Sequence, residues 1–294
     1  MYRLIKNSTV YLLLIVTTTG IYAQSAVAEV QSFAPGIISS DSLDFNAAFS
    51  PDGKSLYFTR SISKRTQLYY STLTNGEWSQ PTPLPFSNTN YSDADPAISP
   101  TGDLYFISNR PTHPGDTTKD FDIWKVTRMS TGQWSKPVNV KELNSPENEY
   151  YISFTAEGDA YFSSSRKDCY GEEDIYVSEY KDKTFRKPEN LGGTVNTSHS
   201  EYDPFIAANG SALIFTSSAR NDSFGKADLY WSVRTIKGWQ EVNHFNELIN
   251  TATRDYCPYI SQDKMYFFYS SRGDIKYIGM DRLPAVLIQS IRAK

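Results

Sequence analysis

Five passages of this chain are variants of one another, and their regular spacing constrains the fold more than any other feature. They read DFNAAFSPDG, DADPAISPTG, EYYISFTAEG, EYDPFIAANG and DYCPYISQDK, opening at Asp44, Asp93, Glu149, Glu201 and Asp255. Successive openings lie 49, 56, 52 and 54 residues apart. A unit of that size, repeated end to end, is the signature of stacked or ring-closed modules, because one unit cannot bury its own apolar face.

Each unit carries the same order of signals. An acidic opener leads a short apolar run, the first strand (a). A turn such as Ser50-Pro51-Asp52-Gly53 or Ser99-Pro100-Thr101-Gly102 follows, with Pro presetting φ and Gly supplying a positive one. Strand b is aromatic, as in Leu56-Tyr57-Phe58, Leu104-Tyr105-Phe106 and Ala160-Tyr161-Phe162, and in four units it runs into an arginine: Arg110, Arg166, Arg220 and Arg272. Strand c carries Asp122-Ile123-Trp124, Asp174-Ile175-Tyr176, Asp228-Leu229-Tyr230 or Asp274-Ile275. An aromatic residue with a proline close behind, as in Trp78 with Pro81 and Trp134 with Pro137, marks strand d, where proline suits an outer edge. A loop such as Leu143-Asn144-Ser145 or Ile249-Asn250-Thr251 closes the unit.

Four short strands per unit predict an all-β chain with one β-propeller of five four-stranded blades; six blades are the alternative. The stretch near Val30–Ile38 reads as a stray outer strand, since Phe33-Ala34-Pro35 echoes Trp78 with Pro81. It is expected to complete the last blade and close the ring, hiding two open edges.

The 294 residues suit one large β domain, and their 21 Tyr and 16 Phe suit pleated, half-buried surfaces. The net charge is −4 and no basic cluster occurs, which argues against nucleic acid as a partner. Arg3 and Lys6 precede the apolar run Val10–Val16, and small residues follow. This is the pattern of a signal peptide over residues 1–23, with cleavage as late as residue 28. The run is too short to span a membrane. Residues 28–282 are then the propeller and 283–294 a C-terminal tail containing the apolar patch Ala285–Ile288. The expected product is a periplasmic or secreted monomer. Export permits a disulfide between Cys169 and Cys257, but these fall in repeats that are not neighbours, and two free thiols fit as well.

The phased recurrence of Ser50–Phe58 (SPDGKSLYF) and of Asp174-Ile175-Tyr176 resembles the WD-like repeat of TolB-type β-propellers, over roughly residues 30 to 280. The resemblance implies a propeller, bacterial export, and a protein-binding or envelope-associated role.

By symmetry the openers Asp44, Asp93, Glu149, Glu201 and Asp255 form a ring at the end where the d–a and b–c loops emerge. Such a ring could bind Ca²⁺, a hard cation that takes oxygen ligands, or a basic peptide. Alternatively each opener meets an arginine of its own blade. The arginines have a second set of candidate partners in strand c, giving Arg110–Asp122, Arg166–Asp174, Arg220–Asp228 and Arg272–Asp274. The first unit has Gln67 and Ile62 at the two positions, so both charges are missing together. On the b–c loops, His113, Tyr170 and Phe224 are expected at the mouth of the channel, beside Tyr91, Tyr150, Tyr202 and Tyr256 at the strand-a entrances.

Enzyme signatures are thin. The three histidines lack metal-ligand spacing, and GxSxG is absent. A glycosidase-like enzyme with channel carboxylates is the alternative to a non-enzymatic scaffold for a protein, peptide or envelope glycan. It requires two acids in unlike environments, whereas the openers are equivalent by repeat.

Overall fold

A computed structural model describes residues 28–293. The signal-peptide reading of residues 1–23 lies outside the described residues. Among the described residues the chain forms five antiparallel blade sheets, one per repeat, a two-stranded ribbon pairing Tyr180–Lys181 with Thr184–Phe185, and a short C-terminal helix. The blade count and four-strand plan follow the repeats. Inner strands a run Asp44–Phe49, Asp93–Ile98, Glu149–Phe154, Ser200–Ile206 and Asp255–Ile260. Strands b run Ser55–Ile62, Leu104–Ser108, Ala160–Ser164, Ala212–Ser218 and Tyr266–Ser271. Strands c run Arg65–Thr74, Asp122–Val126, Asp174–Ser178, Ala227–Thr235 and Asp274–Gly279.

The outer strands correct the sequence reading. The aromatic signals do not form the blade edge. Glu77–Trp78 and Gly238–Trp239 pair with the tail of their own strand c. The edge proper is the following dipeptide: Thr82–Pro83, Val138–Asn139, Glu189–Asn190 and Asn243–His244. The displaced aromatics reach across to the neighbouring blade, as Trp134 does to Tyr57 at 6.1 Å and Trp239 to Tyr161 at 6.4 Å.

The N-terminal segment closes the ring. Gln31 and Ser32 pair with Tyr277 and Lys276 of blade five. Phe33 takes the place of Leu84 rather than of Trp78, because its amide donates to Ile275 as that of Leu84 donates to Leu68. Its ring is edge-on to Phe49, Trp78 and Phe268, joining blades one and five. The tail left unassigned by sequence forms a 3-10 turn at Met280–Arg282 and the helix Ala285–Arg292. Leu287 and Ile291 pack into the core between blades four and five. The last carbonyls of the helix accept bonds from Asn209, Ser211 and Lys264 on the a–b turns, satisfying groups that a helix end leaves open. Both cysteines are free. Among the described residues no helix is long and apolar enough to cross a membrane.

Candidate functional site

The loop that ends each unit organises the next opener. Asn144 accepts the amide of Ile123 at 2.8 Å and donates to its carbonyl at 3.0 Å, copying a strand partner for strand c. Asn196 does the same for Ile175, and Asn250 for Leu229. The next residue holds the opener: Ser145 donates through amide and hydroxyl to Glu149, and Thr197 likewise to Glu201. Ser40 repeats the arrangement on Asp44.

The arginines complete this unit, and they correct the expected pairing. Arg110, Arg166 and Arg220 reach Asp93, Glu149 and Glu201 at 2.7, 3.0 and 2.9 Å, not the strand-c aspartates. Blade one keeps its ion pair. Arg60, two positions earlier in strand b, faces Asp44 directly in register and bonds it at 2.6 Å. The strand-c acids serve other donors. Asp122 accepts from Asn139. Asp174 takes the amides of Tyr170 and Gly171, and Asp228 those of Phe224 and Gly225 as well as His244. Asp274 accepts from Ser32 across the ring closure and from Lys276 of its own strand. Among the described residues Arg272, at φ +53°, forms no ion pair and Asp255 meets no cation.

All five openers are 0% exposed. Each is turned into its own blade, so together they do not present a face of ligands to the channel. Among the described residues no three Asp, Glu, His or Cys side chains stand close enough to hold a metal ion. Tyr170 and Phe224 are exposed but lie away from the channel, over the outer strands. Phe224 rests on His244 at 4.6 Å, and Tyr170 lies 3.7 Å from where a Cβ on Gly193 would stand. His113 is on the b–c loop of blade two, bonded to Thr112.

What lines the channel is a second ring, two residues beyond the openers. Asn46, Asp95, Tyr151, Asp203 and Cys257 all have φ between +39° and +54°, and each lies at a bulge in the a–b register. An extra residue in a left-handed conformation bends the strand and re-aims its side chain. Asn and Asp tolerate this conformation; Tyr and Cys do so at a cost. Asn46 donates to Asp95 at 3.3 Å, Cys257 donates its amide to Asp203 at 3.1 Å, and the Tyr151 hydroxyl reaches the Pro258 carbonyl at 2.6 Å. The signal was present in the sequence as the third residue of each motif, which is Asn, Asp, Tyr, Asp and Cys in turn, but no local pattern shows that it faces the axis.

Burial pushes Asp95 up to about 6 against the bonds from Asn46 and the Tyr151 amide. Burial, and then the Asp95 charge, push Asp203 well above the usual carboxylate range. Burial also pushes Asp122 and Glu173 up to about 7. These groups bind protons more tightly folded than unfolded. The stability this adds is complete below the ordinary carboxylate range and is lost as pH rises through about 6 to 7. Urea unfolding is therefore expected to show stability falling from about pH 5 to about pH 8, with a shallower slope in Asp95→Asn and Asp122→Asn. Stability that rises across this window would contradict the assignment.

A cavity of about 360 Å³ opens at the other end of the channel, on the face of the a–b turns. Asn46 and Tyr151 contribute to its wall; Pro51, Pro100, Phe154 and Phe205 are among the residues around them, and Ile291 of the helix stands at its edge. Among the described residues no Asp, Glu, His or Cys lines it.

No protein-family model and no curated protein matches the chain. Solved structures do. TolB from Acinetobacter baumannii is 16% identical with a TM-score of 0.53, over 82% of this chain and 55% of that one, so the match spans about half of that protein. A putative TolB from Agrobacterium tumefaciens is 15% identical with a TM-score of 0.53, over 83% of this chain and 80% of that one. A thermostable family-43 glycoside hydrolase is 13% identical with a TM-score of 0.54, over 82% and 90%. The fold is that of a TolB-like propeller, and it is shared with an enzyme.

Proposed function

We propose that this chain is an exported, non-enzymatic binding propeller that takes a protein, peptide or envelope glycan segment in the cavity on its a–b face. The observation that carries the reading is the composition of that wall. Prolines, aromatic rings, hydroxyls and amides converge on a concave site, as in binding pockets generally, and no carboxylate pair or nucleophile–base pair meets them. Export rests on Arg3, Lys6 and the apolar run Val10–Val16. The TolB-like fold agrees with a binding role.

The competing reading, a glycosidase, has the family-43 fold likeness and two central carboxylates in its favour. Asp95 and Asp203 are inequivalent, as such chemistry requires. However, both lie outside the cavity wall and act as acceptors for the neighbouring blade. Panning the purified protein against displayed random peptides and a glycan array separates the two. Ligands selected on the parent are expected to bind at least tenfold more weakly to Phe154→Arg and to Ala208→Trp, both residues of the cavity wall, a change of about 1.4 kcal/mol, and no glycan is expected to be consumed. Unchanged affinity in both variants, or glycan hydrolysis abolished by Asp95→Asn, overturns the reading.

A further inference from the structure

Four blades hold a guanidinium on the same set of groups. Arg110, Arg166 and Arg220 each bond the opener of their blade and donate Nε to a serine at the end of strand b: Ser108, Ser164 and Ser217, at 2.8, 3.0 and 3.0 Å. Those serines stand opposite Asp93, Glu149 and Glu201 in the a–b register. Arg166 and Arg220 also donate to the carbonyl six residues before the opener, that of Leu143 or Val195. All three arginines lie over the ring two residues before the serine, Phe106, Phe162 or Phe215. In blade one Arg60 takes the serine's place opposite Asp44 and reaches the Ile38 carbonyl.

Blade five builds the same slot and, among the described residues, sets no cation in it. Asp255 stands opposite Ser271. Tyr269 lies two residues before that serine, and Ile249 six residues before the opener. Asp255 Oδ2 takes the Thr251 amide. Asp255 Oδ1 and the Ser271 hydroxyl, the kinds of group that hold the guanidinium elsewhere, are buried and among the described residues have no hydrogen-bond partner. Buried polar groups are normally partnered, because leaving them unmade is costly. The blade's own arginine is carried past the slot. Ser271 pairs with Asp274, so Arg272 and Gly273 form a two-residue hairpin turn, both with the positive φ that such a turn requires. Arg272 follows the serine by one residue instead of two or three, and it is exposed. The arginines that fill the sister slots keep 10 to 15% of their side chains exposed, so the slot lies against the surface.

We propose that this slot is a receptor for a guanidinium supplied by another chain: the side chain of an arginine on a partner polypeptide. The planar fork donates to Asp255 Oδ1 and Ser271 Oγ and lies over Tyr269, as the chain's own arginines do in their blades. Both acceptors are buried, so entry requires the exposed tip Arg272-Gly273 to swing aside. The site is at the opposite end from the a–b cavity and does not rest on the reading of that cavity.

Calorimetric titration at low ionic strength with N-acetyl-arginine methylamide, and with its citrulline and lysine counterparts, tests the assignment. The arginine compound is expected to bind the parent at least about tenfold more tightly than the citrulline compound, which is similar in shape but uncharged, and about threefold more tightly than the lysine compound. Asp255→Asn is expected to lose at least about tenfold in affinity while melting no lower than the parent, which separates loss of the receptor from loss of fold. Ser271→Arg copies the position of Arg60 opposite Asp44. It is expected to fill the slot from within, raising the melting temperature and abolishing binding. No binding of the arginine compound to the parent, equal affinity for the citrulline compound, or equal affinity in Asp255→Asn overturns the proposal. So does a Ser271→Arg protein that folds and still binds as the parent does.

Discussion

Gly171→Ala is expected to lower the melting temperature by on the order of 10 °C or to prevent folding altogether. A Cβ at this position would stand 1.7 Å from the carbonyl oxygen of His199 and 2.7 Å from its carbonyl carbon. Both atoms are backbone, in the d–a loop that leads into blade four, so no side chain can swing aside. The loop is also tied down. Thr197 caps Glu201, Glu201 holds Arg220, and the Glu201 amide donates to Glu173. Relief would require one loop to move by more than an ångström and to break some of these bonds. The cost is at least about 3 kcal/mol, the upper range for overpacking, and each kcal/mol moves the midpoint by about 2–4 °C in a chain of this size. Gly225 occupies the same place in blade four, with a Cβ 2.3 Å from the Thr253 carbonyl, and Gly225→Ala is expected to behave alike. Gly193→Ala is the control. Its φ is ordinary and the nearest atom is 3.7 Å away, so its effect is expected within about 0.5 kcal/mol. Thermal and urea unfolding of the three variants decide the matter, and a Gly171→Ala protein as stable as Gly193→Ala would show that the two loops do not meet as described.

Removing an arginine from beneath an opener is expected to be the next most damaging change. Arg220→Ala leaves Glu201, 0% exposed, with hydroxyl and amide donors but no cation. Breaking one side of a buried pair typically costs about 3–5 kcal/mol, because the remaining charge is left uncompensated. The guanidinium also bridges to the Val195 carbonyl and stacks over Phe215 and Tyr230, so packing is lost with the charge. Arg166→Ala is expected to match it through Glu149, the Leu143 carbonyl and Tyr176. Blade five supplies the contrast. Among the described residues Asp255 meets no cation and one of its buried oxygens has no hydrogen-bond partner, and burial raises its pKa. Asp255→Asn is accordingly expected to be neutral or stabilising near pH 7, where a buried unpaired carboxylate is a liability. The ordering Arg220→Ala far below Asp255→Asn in urea midpoint is the expected result; the reverse ordering would refute the account of the openers as ion-paired struts.

Much of this arrangement was legible one repeat at a time. The Ser-Pro-x-Gly turns, the aromatic b strands and the Asn-Ser or Asn-Thr loop ends each act through near neighbours in the chain, so their recurrence exposes them. Arginine pairing was misread because two acids per blade were available. Arg60 stands two residues before the position the other arginines hold in their units, yet in the sheet it lies directly opposite Asp44. Likewise Tyr170 and Phe224 sit on loops at the predicted end of the propeller, yet their direction depends on outer strands that the sequence places only approximately.

The order of residues was enough to determine five all-β modules and the use of the N-terminal segment to complete the last, because period, turn chemistry and strand patterning are local properties repeated five times. Only the tertiary structure decided which carboxylates each arginine holds, that a bulge turns Asn46, Asp95, Tyr151, Asp203 and Cys257 onto the axis, and that the cavity opens on the a–b face. Those outcomes depend on register between strands and on the convergence of distant blades, and neither leaves a trace in the spacing of residues along one chain.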